Sequence, residues 1–262
     1  MTRTELKTES DSSPALPLDR SPERIAGMFD AIAGRYDLLN RLLSAGFDQR
    51  WRARAVAALG LTGQALVLDL CTGTADLALS TARSARECRV IGVDFAGKML
   101  GLAHAKVQRA GLDQRVRLVR GDAIYVPLGG GAVDAVTIAF GIRNVSKPAD
   151  ALRDIHRVLR PGGRLAILEF GTPRLPAVRA IYLWYFRRVL PFIGRCISRH
   201  GSAYTYLPVS VGTFWEPAVF CRVLVDTGFE DVQAIPLTFG VVYLYQATRV
   251  ASDGVHTPGK QV

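Results

Sequence analysis

The chain has 262 residues, of which 49% are hydrophobic and 21% charged, and carries a net charge of +10. That length supports one large α/β domain with a sizeable core, and no stretch approaches the roughly 18 apolar residues of a membrane-spanning helix. The four cysteines (Cys71, Cys88, Cys196 and Cys221) show neither CxxC nor histidine spacing, which argues against a metal site and for a reducing, cytoplasmic setting.

Residues 1–20 are rich in Ser, Thr, Pro and charge and lack the apolar core of a secretory signal, so they read as a disordered tail. Ser21-Pro22-Glu23 is a helix start: a capping serine, a proline in the first turn and a carboxylate favoured by the helix dipole. Helical patterning runs to about Leu59, with breaks expected near Gly34 and Gly46. Strand and helix signals then alternate: Ala65–Leu70 strand, Asp76–Arg86 helix, Arg89–Val93 strand, Lys98–Ala110 helix, Val116–Val119 strand. Val133–Ala139 is a fourth strand, Pro148–Leu159 a helix and Arg164–Phe170 a fifth strand. Near-continuous apolar strands between amphipathic helices indicate a mostly parallel sheet covered on both faces. A helix at Pro217–Thr227 and strands at Val232–Pro236 and Gly240–Ala247 follow, the last pair placed to close a sheet edge. Residues 21–249 thus form the domain, and 250–262 read as a second disordered tail.

The charge is unevenly spread. No acidic residue occurs between Glu169 and Glu216, an interval holding Arg174, Arg179, Arg187, Arg188, Arg195 and Arg199 among many aromatics. Such a segment, taken as an insertion at about 171–215, suits an anionic bilayer or a nucleic acid. It also suits a helix that buries its aromatics and leaves its arginines solvated.

The first strand ends in Asp69-Leu70-Cys71-Thr72-Gly73-Thr74-Ala75-Asp76. A small-residue turn centred on Gly73, between a strand and a helix, lets a ligand approach the backbone closely. It lacks both the three glycines of a dinucleotide fingerprint and a Walker lysine. The second strand ends at Asp94, about 20 residues on, where a carboxylate can accept from two ribose hydroxyls or cap the next helix. The third ends in Gly121-Asp122-Ala123, where Asp122 can accept from an adenine amine. Turn, ribose acid and adenine acid on successive strands describe a nucleoside pocket without a phosphate clamp, as S-adenosylmethionine requires. In this the chain resembles the class I S-adenosylmethionine-dependent methyltransferases, whose Rossmann-like fold is implied here. The resemblance extends to Arg160-Pro161-Gly162-Gly163, otherwise a tight turn ending a helix.

Phe140-Gly141-Ile142-Arg143-Asn144-Val145 follows the fourth strand, where an open α/β sheet places its ligand crevice. This segment, and Met28-Phe29-Asp30-Ala31-Ile32-Ala33-Gly34-Arg35-Tyr36-Asp37-Leu38-Leu39-Asn40, are similar to signatures of the menaquinone/ubiquinone biosynthesis C-methyltransferases. Tyr204-x-Tyr206-Leu207-Pro208 with Ser210 resembles that family's C-terminal half, and the similarity spans residues 22–249. It implies cofactor contacts at Thr74, Asp94, Asp122 and Ala123. Ala75 departs from the family's frequent glycine, and Ala139 from its frequent serine, which leaves Ala139 only backbone to offer.

The resemblance implies methyl transfer to a ring carbon of a reduced, prenylated quinol. Ionising a ring hydroxyl makes the ortho carbon nucleophilic, so the protein needs mainly to align the reactants and stabilise a phenolate. Arg143, a permanent cation, suits the phenolate, and Asn144 can bond a ring oxygen or the methionine part of the cofactor. Arg143 is a poor base, so a relayed water, Asp37, Tyr36 or His200 is the candidate proton acceptor. Plainer roles stand beside these: Asn144 as the cap of a helix beginning near Ser146, Arg143 in a surface ion pair, and Tyr36 and Asp37 as helix-packing residues.

The Cys71–Asp76 turn looks more like the menaquinone branch, which favours demethylmenaquinol over a ubiquinone-pathway benzoquinol. A membrane-resident acceptor implies peripheral contact with the inner face of the membrane through 171–215. Oligomeric state has no sequence signal, and a homodimer stands as the alternative to a monomer. Nucleic acid is not the expected partner. Amino-directed base methylation would place an Asn/Asp-Pro-Pro-aromatic motif after the fourth strand, and a cytosine C5 enzyme would place a cysteine there; this chain has neither. A cofactor-binding assembly subunit without catalysis is the non-enzymatic alternative.

Overall fold

Five strands, β1 (Leu66–Leu70), β2 (Arg89–Asp94), β3 (Val116–Arg120), β4 (Val133–Ala139) and β5 (Leu159–Phe170), run parallel. Two more, β6 (Phe229–Leu237) and β7 (Val242–Arg249), form a hairpin whose β7 pairs antiparallel with β5. The order across the sheet is β3-β2-β1-β4-β5-β7-β6, so the strand order reverses between β1 and β4. Ligands of open α/β sheets bind outside the carboxyl ends of the strands at such a switch point. This computed structural model describes residues 19–189 and 202–250. Most of both expected tails, and Phe192, Arg195, Cys196, Arg199 and His200 of the basic segment, lie outside the described residues.

The strands read as apolar runs because both faces of the sheet are covered. On one face, Leu68, Leu70 and Ile138 pack against α5 (Pro148–Val158, through Leu152 and Ile155) and α8 (Pro217–Asp226, through Phe220 and Leu224). On the other, Val67, Val90 and Ala166 pack against α2 (Phe47–Ala58), α3 (Asp76–Ser84) and α4 (Gly97–Arg109). The final strand pair closes the sheet edge as its sequence position indicates.

Several local expectations are corrected. Helix α1 runs unbroken from Pro22 to Leu43 through Gly34. One glycine weakens a helix by only about 1 kcal/mol, and here buried Ile25, Ala33 and Leu39 hold the face. The break comes at Ala45 and Gly46, both left-handed. Pro22 and Glu23 do open α1, but the Ser21 side chain makes no capping bond; its backbone N–H donates to Asp19 Oδ1 at 2.9 Å. Pro161-Gly162-Gly163 lies inside β5, which begins at Leu159 directly after α5. The β4–β5 register shifts there, and a Cβ at Gly163 would lie 2.7 Å from Arg160 O, so the chain bulges within the strand.

Two further helices, α6 (Pro176–Trp184) and α7 (Ser202–Gly212), lie within the basic segment, with a π-helical turn at Tyr185–Val189. Among the described residues no helix is long and apolar enough to cross a membrane.

Candidate active site

The β1–α3 turn is backed by a buried acid. Asp69 accepts from Thr72 Oγ1 at 2.6 Å and from Thr137 Oγ1 at 2.7 Å, which ties the turn to β4. Burial pushes its carboxyl up to about 6. Because the folded value lies above the unfolded one, the protonated acid stabilises the fold fully below about pH 4, and this contribution is lost as the pH rises to about 6. The loss is on the order of 3 kcal/mol. Asp69→Asn, in which the threonine hydroxyls can reverse their donor roles, is expected to flatten stability across that window. Urea unfolding at both ends checks this; an unchanged pH difference in the variant would show that another group titrates.

The turn itself holds Cys71, Gly73 and Ala75 in left-handed conformations. Asp94, at the end of β2, is buried and clasps it. Its Oδ2 accepts from Gly73 N–H at 2.8 Å and its Oδ1 from Ala96 N–H at 2.9 Å, at the entry to α4. Asp94 is not the N-cap of α4, which is Ala96, but it holds the entry to that helix and also lines a cleft with Gly73, Met99 and Asn144. Burial raises its carboxyl above the usual range. Each oxygen retains a second lone pair for a ligand hydroxyl. Asp122 and Ala123 do not line this cleft. Asp122 Oδ1 accepts from Ile124 N–H at 3.0 Å, and Ala123 is buried in the core.

Thr74 belongs to a charged cluster that locks α1 over the turn. Its hydroxyl donates to Asp37 Oδ1 at 2.6 Å, and Lys106 Nζ donates to Asp37 Oδ2 at 2.8 Å. Lys106 also bonds Asp76, which lies 3.4 Å from Arg52, and Arg52 in turn pairs with Asp48. Asp30 of α1 adds an acceptor for Lys98 N–H at 2.9 Å, in the first turn of α4. The sequence reading missed Lys106, Arg52 and Asp48; nothing in their local spacing marks a cluster assembled from four helices.

After β4 the chain turns at Phe140, which is left-handed at φ 58°. A glycine must follow, because a Cβ at Gly141 would lie 2.3 Å from Cys71 Cβ. The 3-10 turn Ile142–Asn144 then points Arg143 and Asn144 inward, and both are buried. Arg143 is not a surface ion-pair partner. Its Nη1 donates to Glu169 Oε1 at 2.8 Å and to Phe140 O at 2.5 Å, its Nε to Ser210 Oγ at 3.4 Å, and its guanidinium lies 5.4 Å from the Phe170 ring centroid. Glu169 is fully buried and also accepts from the backbone N–H of Phe170 at 2.9 Å. Asn144 is not a helix cap either: α5 starts at Pro148, and Asn144 Oδ1 accepts from Tyr206 OH at 3.0 Å.

Arg143 lines a cavity of about 340 Å³ walled by α1, α2, α6 and α7. Its surface is aromatic and aliphatic. Phe140 packs 4.5 Å from Phe170 and 6.1 Å from Trp51 between ring centroids. Tyr36 and Phe140 line this cavity and also the clefts beside Asp94 and beneath Thr74. Those clefts are narrow, about 40 and 30 Å³, and α1 contributes Tyr36 to both. Burial raises the phenols of Tyr36, Tyr182 and Tyr206, which makes each a hydrogen-bond donor rather than a base at neutral pH. Asp37 lines none of these spaces, and His200 lies outside the described residues.

Residues 18–249 match the sequence model of the ubiE/COQ5 methyltransferase family. The chain belongs to that family. It is 45% identical over 233 residues to the ubiquinone/menaquinone biosynthesis C-methyltransferase UbiE of Geobacter sp. (strain M21), covering 88% of this chain and 99% of that protein. It is 47% identical over 222 residues to the demethylmenaquinone methyltransferase of Thermus thermophilus, covering 85% of this chain and 100% of the relative. Among solved structures, an S-adenosylmethionine-dependent methyltransferase from Aquifex aeolicus superposes with a TM-score of 0.58 at 19% identity, over 88% of this chain and 99% of that one. This family member is an S-adenosylmethionine-dependent C-methyltransferase of quinone biosynthesis.

Proposed function

We propose that this enzyme methylates a ring carbon of demethylmenaquinol, with Arg143 and Asn144 at the reacting end and Gly73, Thr74, Asp94, Asp122 and Ala123 on the cofactor side. The observation that carries this reading is the apolar cavity ending at Arg143, joined to the Asp94 cleft through the shared residues Tyr36 and Phe140.

The donor set fits S-adenosylmethionine. A buried carboxylate with spare lone pairs and a glycine turn suit a ribose diol, and among the described residues no lysine or arginine lines the Asp94 cleft to take a pyrophosphate. The bound cofactor supplies an electrophilic methyl group. The protein's part is alignment: Phe140, Phe170 and Trp51 wall a flat ring, and Arg143 holds the ionised ring oxygen. Tyr206 OH donates to Asn144 Oδ1 at 3.0 Å and Asn144 Nδ2 donates to Phe140 O at 3.4 Å, so the amide is held from both ends. Among the described residues Asp48 is engaged by Arg52 and Glu169 by Arg143, which favours water over these carboxylates as acceptor of the ring proton.

The prenyl tail places the enzyme at a membrane surface on the cytoplasmic side. Leu175, Ile181 and Trp184 are exposed on and before α6, beside exposed Arg174, Arg179 and Arg188. Aromatics suit the interface, and each basic residue adds about 1 kcal/mol towards anionic headgroups.

Incubation with labelled S-adenosylmethionine and, separately, demethylmenaquinol, a demethylated benzoquinol precursor or bulk RNA tests the reading. Label is expected in the naphthoquinol. Label in the benzoquinol alone would move the enzyme to the ubiquinone branch, and label in RNA alone would overturn the quinol reading.

A further inference from the structure

We infer that Phe239, at the tip of the β6–β7 hairpin, is a lipid-inserting residue that seats the cavity mouth on an anionic bilayer. The inference rests on the membrane reading above. Thr238 and Phe239 are consecutive non-glycine residues in the left-handed region, at φ 45° and 58°, a conformation that β-branched and aromatic residues rarely adopt. The fold over-determines it. Trp51 Nε1 donates to Thr238 Oγ1 at 2.8 Å, and Gly171 N–H donates to Val241 O at 3.0 Å. Gly240 lies against Pro173, where a Cβ would sit 3.6 Å from the proline Cα.

Strain of this kind persists where it serves a purpose. Burying the ring would offset it, yet Phe239 is 70% exposed. The ring does not line the acceptor cavity, although its neighbours Thr238 and Val241 do. The purpose therefore lies outside the fold, at the cavity rim. The hairpin tip packs against 171–173, the approach to α6, and α6 exposes Ile181 and Trp184 by 67% and 61% while lining the same cavity.

Charge selects the occupant. The described residues 170–189, beside the hairpin tip, carry exposed Arg174, Arg179 and Arg188 and no acid. The hairpin's own acids, Glu230 and Asp231, sit at its far end, where Phe229 pairs with Arg249. A projecting aromatic ring within a basic, acid-free rim matches the headgroup boundary of an anionic membrane.

Phe239→Asn separates ring from backbone, because asparagine tolerates the left-handed region. The full-length variant should melt no lower than the parent and keep its turnover on a short-tailed, water-soluble quinol. Its flotation with phosphatidylglycerol/phosphatidylcholine vesicles should weaken roughly tenfold, and its turnover of a long-tailed quinol in those vesicles should fall in step. Phe239→Ala should repeat the loss, and Phe239→Trp should keep the parent's binding. Unchanged flotation of Phe239→Asn beside a parent that floats would overturn the role of Phe239 alone. A parent that fails to float would remove the membrane reading as well. Loss of short-tail turnover in the variant would place the ring in acceptor binding instead.

Discussion

Arg143→Met is expected to lower turnover by about a hundredfold to a thousandfold and stability by about 3–5 kcal/mol. Adding Glu169→Gln should restore most of the stability and none of the turnover. The two losses have different causes. Glu169 is fully buried and its charge is balanced by Arg143. Removing the arginine strands a carboxylate in the interior, which is the expensive half of breaking a buried pair. A neutral glutamine keeps an acceptor for Phe170 N–H without the stranded charge. The turnover loss is expected instead because the guanidinium lines the cavity proposed to hold the acceptor. Urea unfolding and initial rates on the single and double variants check both limbs. Recovery of turnover in the double variant would reduce Arg143 to a structural role.

Asp94→Asn is the second large effect. The carboxylate accepts from Gly73 N–H and Ala96 N–H at once, and an amide can supply only one acceptor atom. Its NH2 would oppose one of these donors and leave it unsatisfied, which costs about 1–3 kcal/mol. If Asp94 also holds the ribose, S-adenosylmethionine should bind at least about a hundredfold more weakly, by the sum of a misplaced turn and a lost acceptor. Calorimetry measures it directly. Parental affinity in this variant would withdraw the ribose assignment.

The parallel core and its closing hairpin were legible because their signals are local: apolar runs of strand length, amphipathic stretches between them, and turns of small residues. Asp94, Arg143 and Asn144 were legible for a related reason, since each stands at the carboxyl end of a strand. What stayed hidden depends on partners distant in sequence. Glu169 offered one sign, a carboxylate at the end of an otherwise apolar strand, which has to be paired if buried. Its partner is 26 residues away and is found only once β4 and β5 lie side by side. Arg52 and Lys106 carry no such sign, being cations on helices where solvated cations are ordinary. Ser21 and Asn144 show the opposite failure. Each has the chemistry of a cap, but the Ser21 hydroxyl makes no capping bond, and the Asn144 amide oxygen is taken by Tyr206 from 62 residues away.

Helix α1 is one wall of two rooms. Its residues line the apolar cavity and the cleft beside Asp94, and Asp37 fastens it to the β1–α3 turn through Thr74 and to α4 through Lys106. A ligand that orders this wall from one side lowers the entropy left to be lost on the other. Thermodynamic linkage makes that help reciprocal and equal in free energy. Quinol and cofactor are thus expected to bind with mutual preference, through a helix that borders both spaces and in addition to the direct contact that methyl transfer requires.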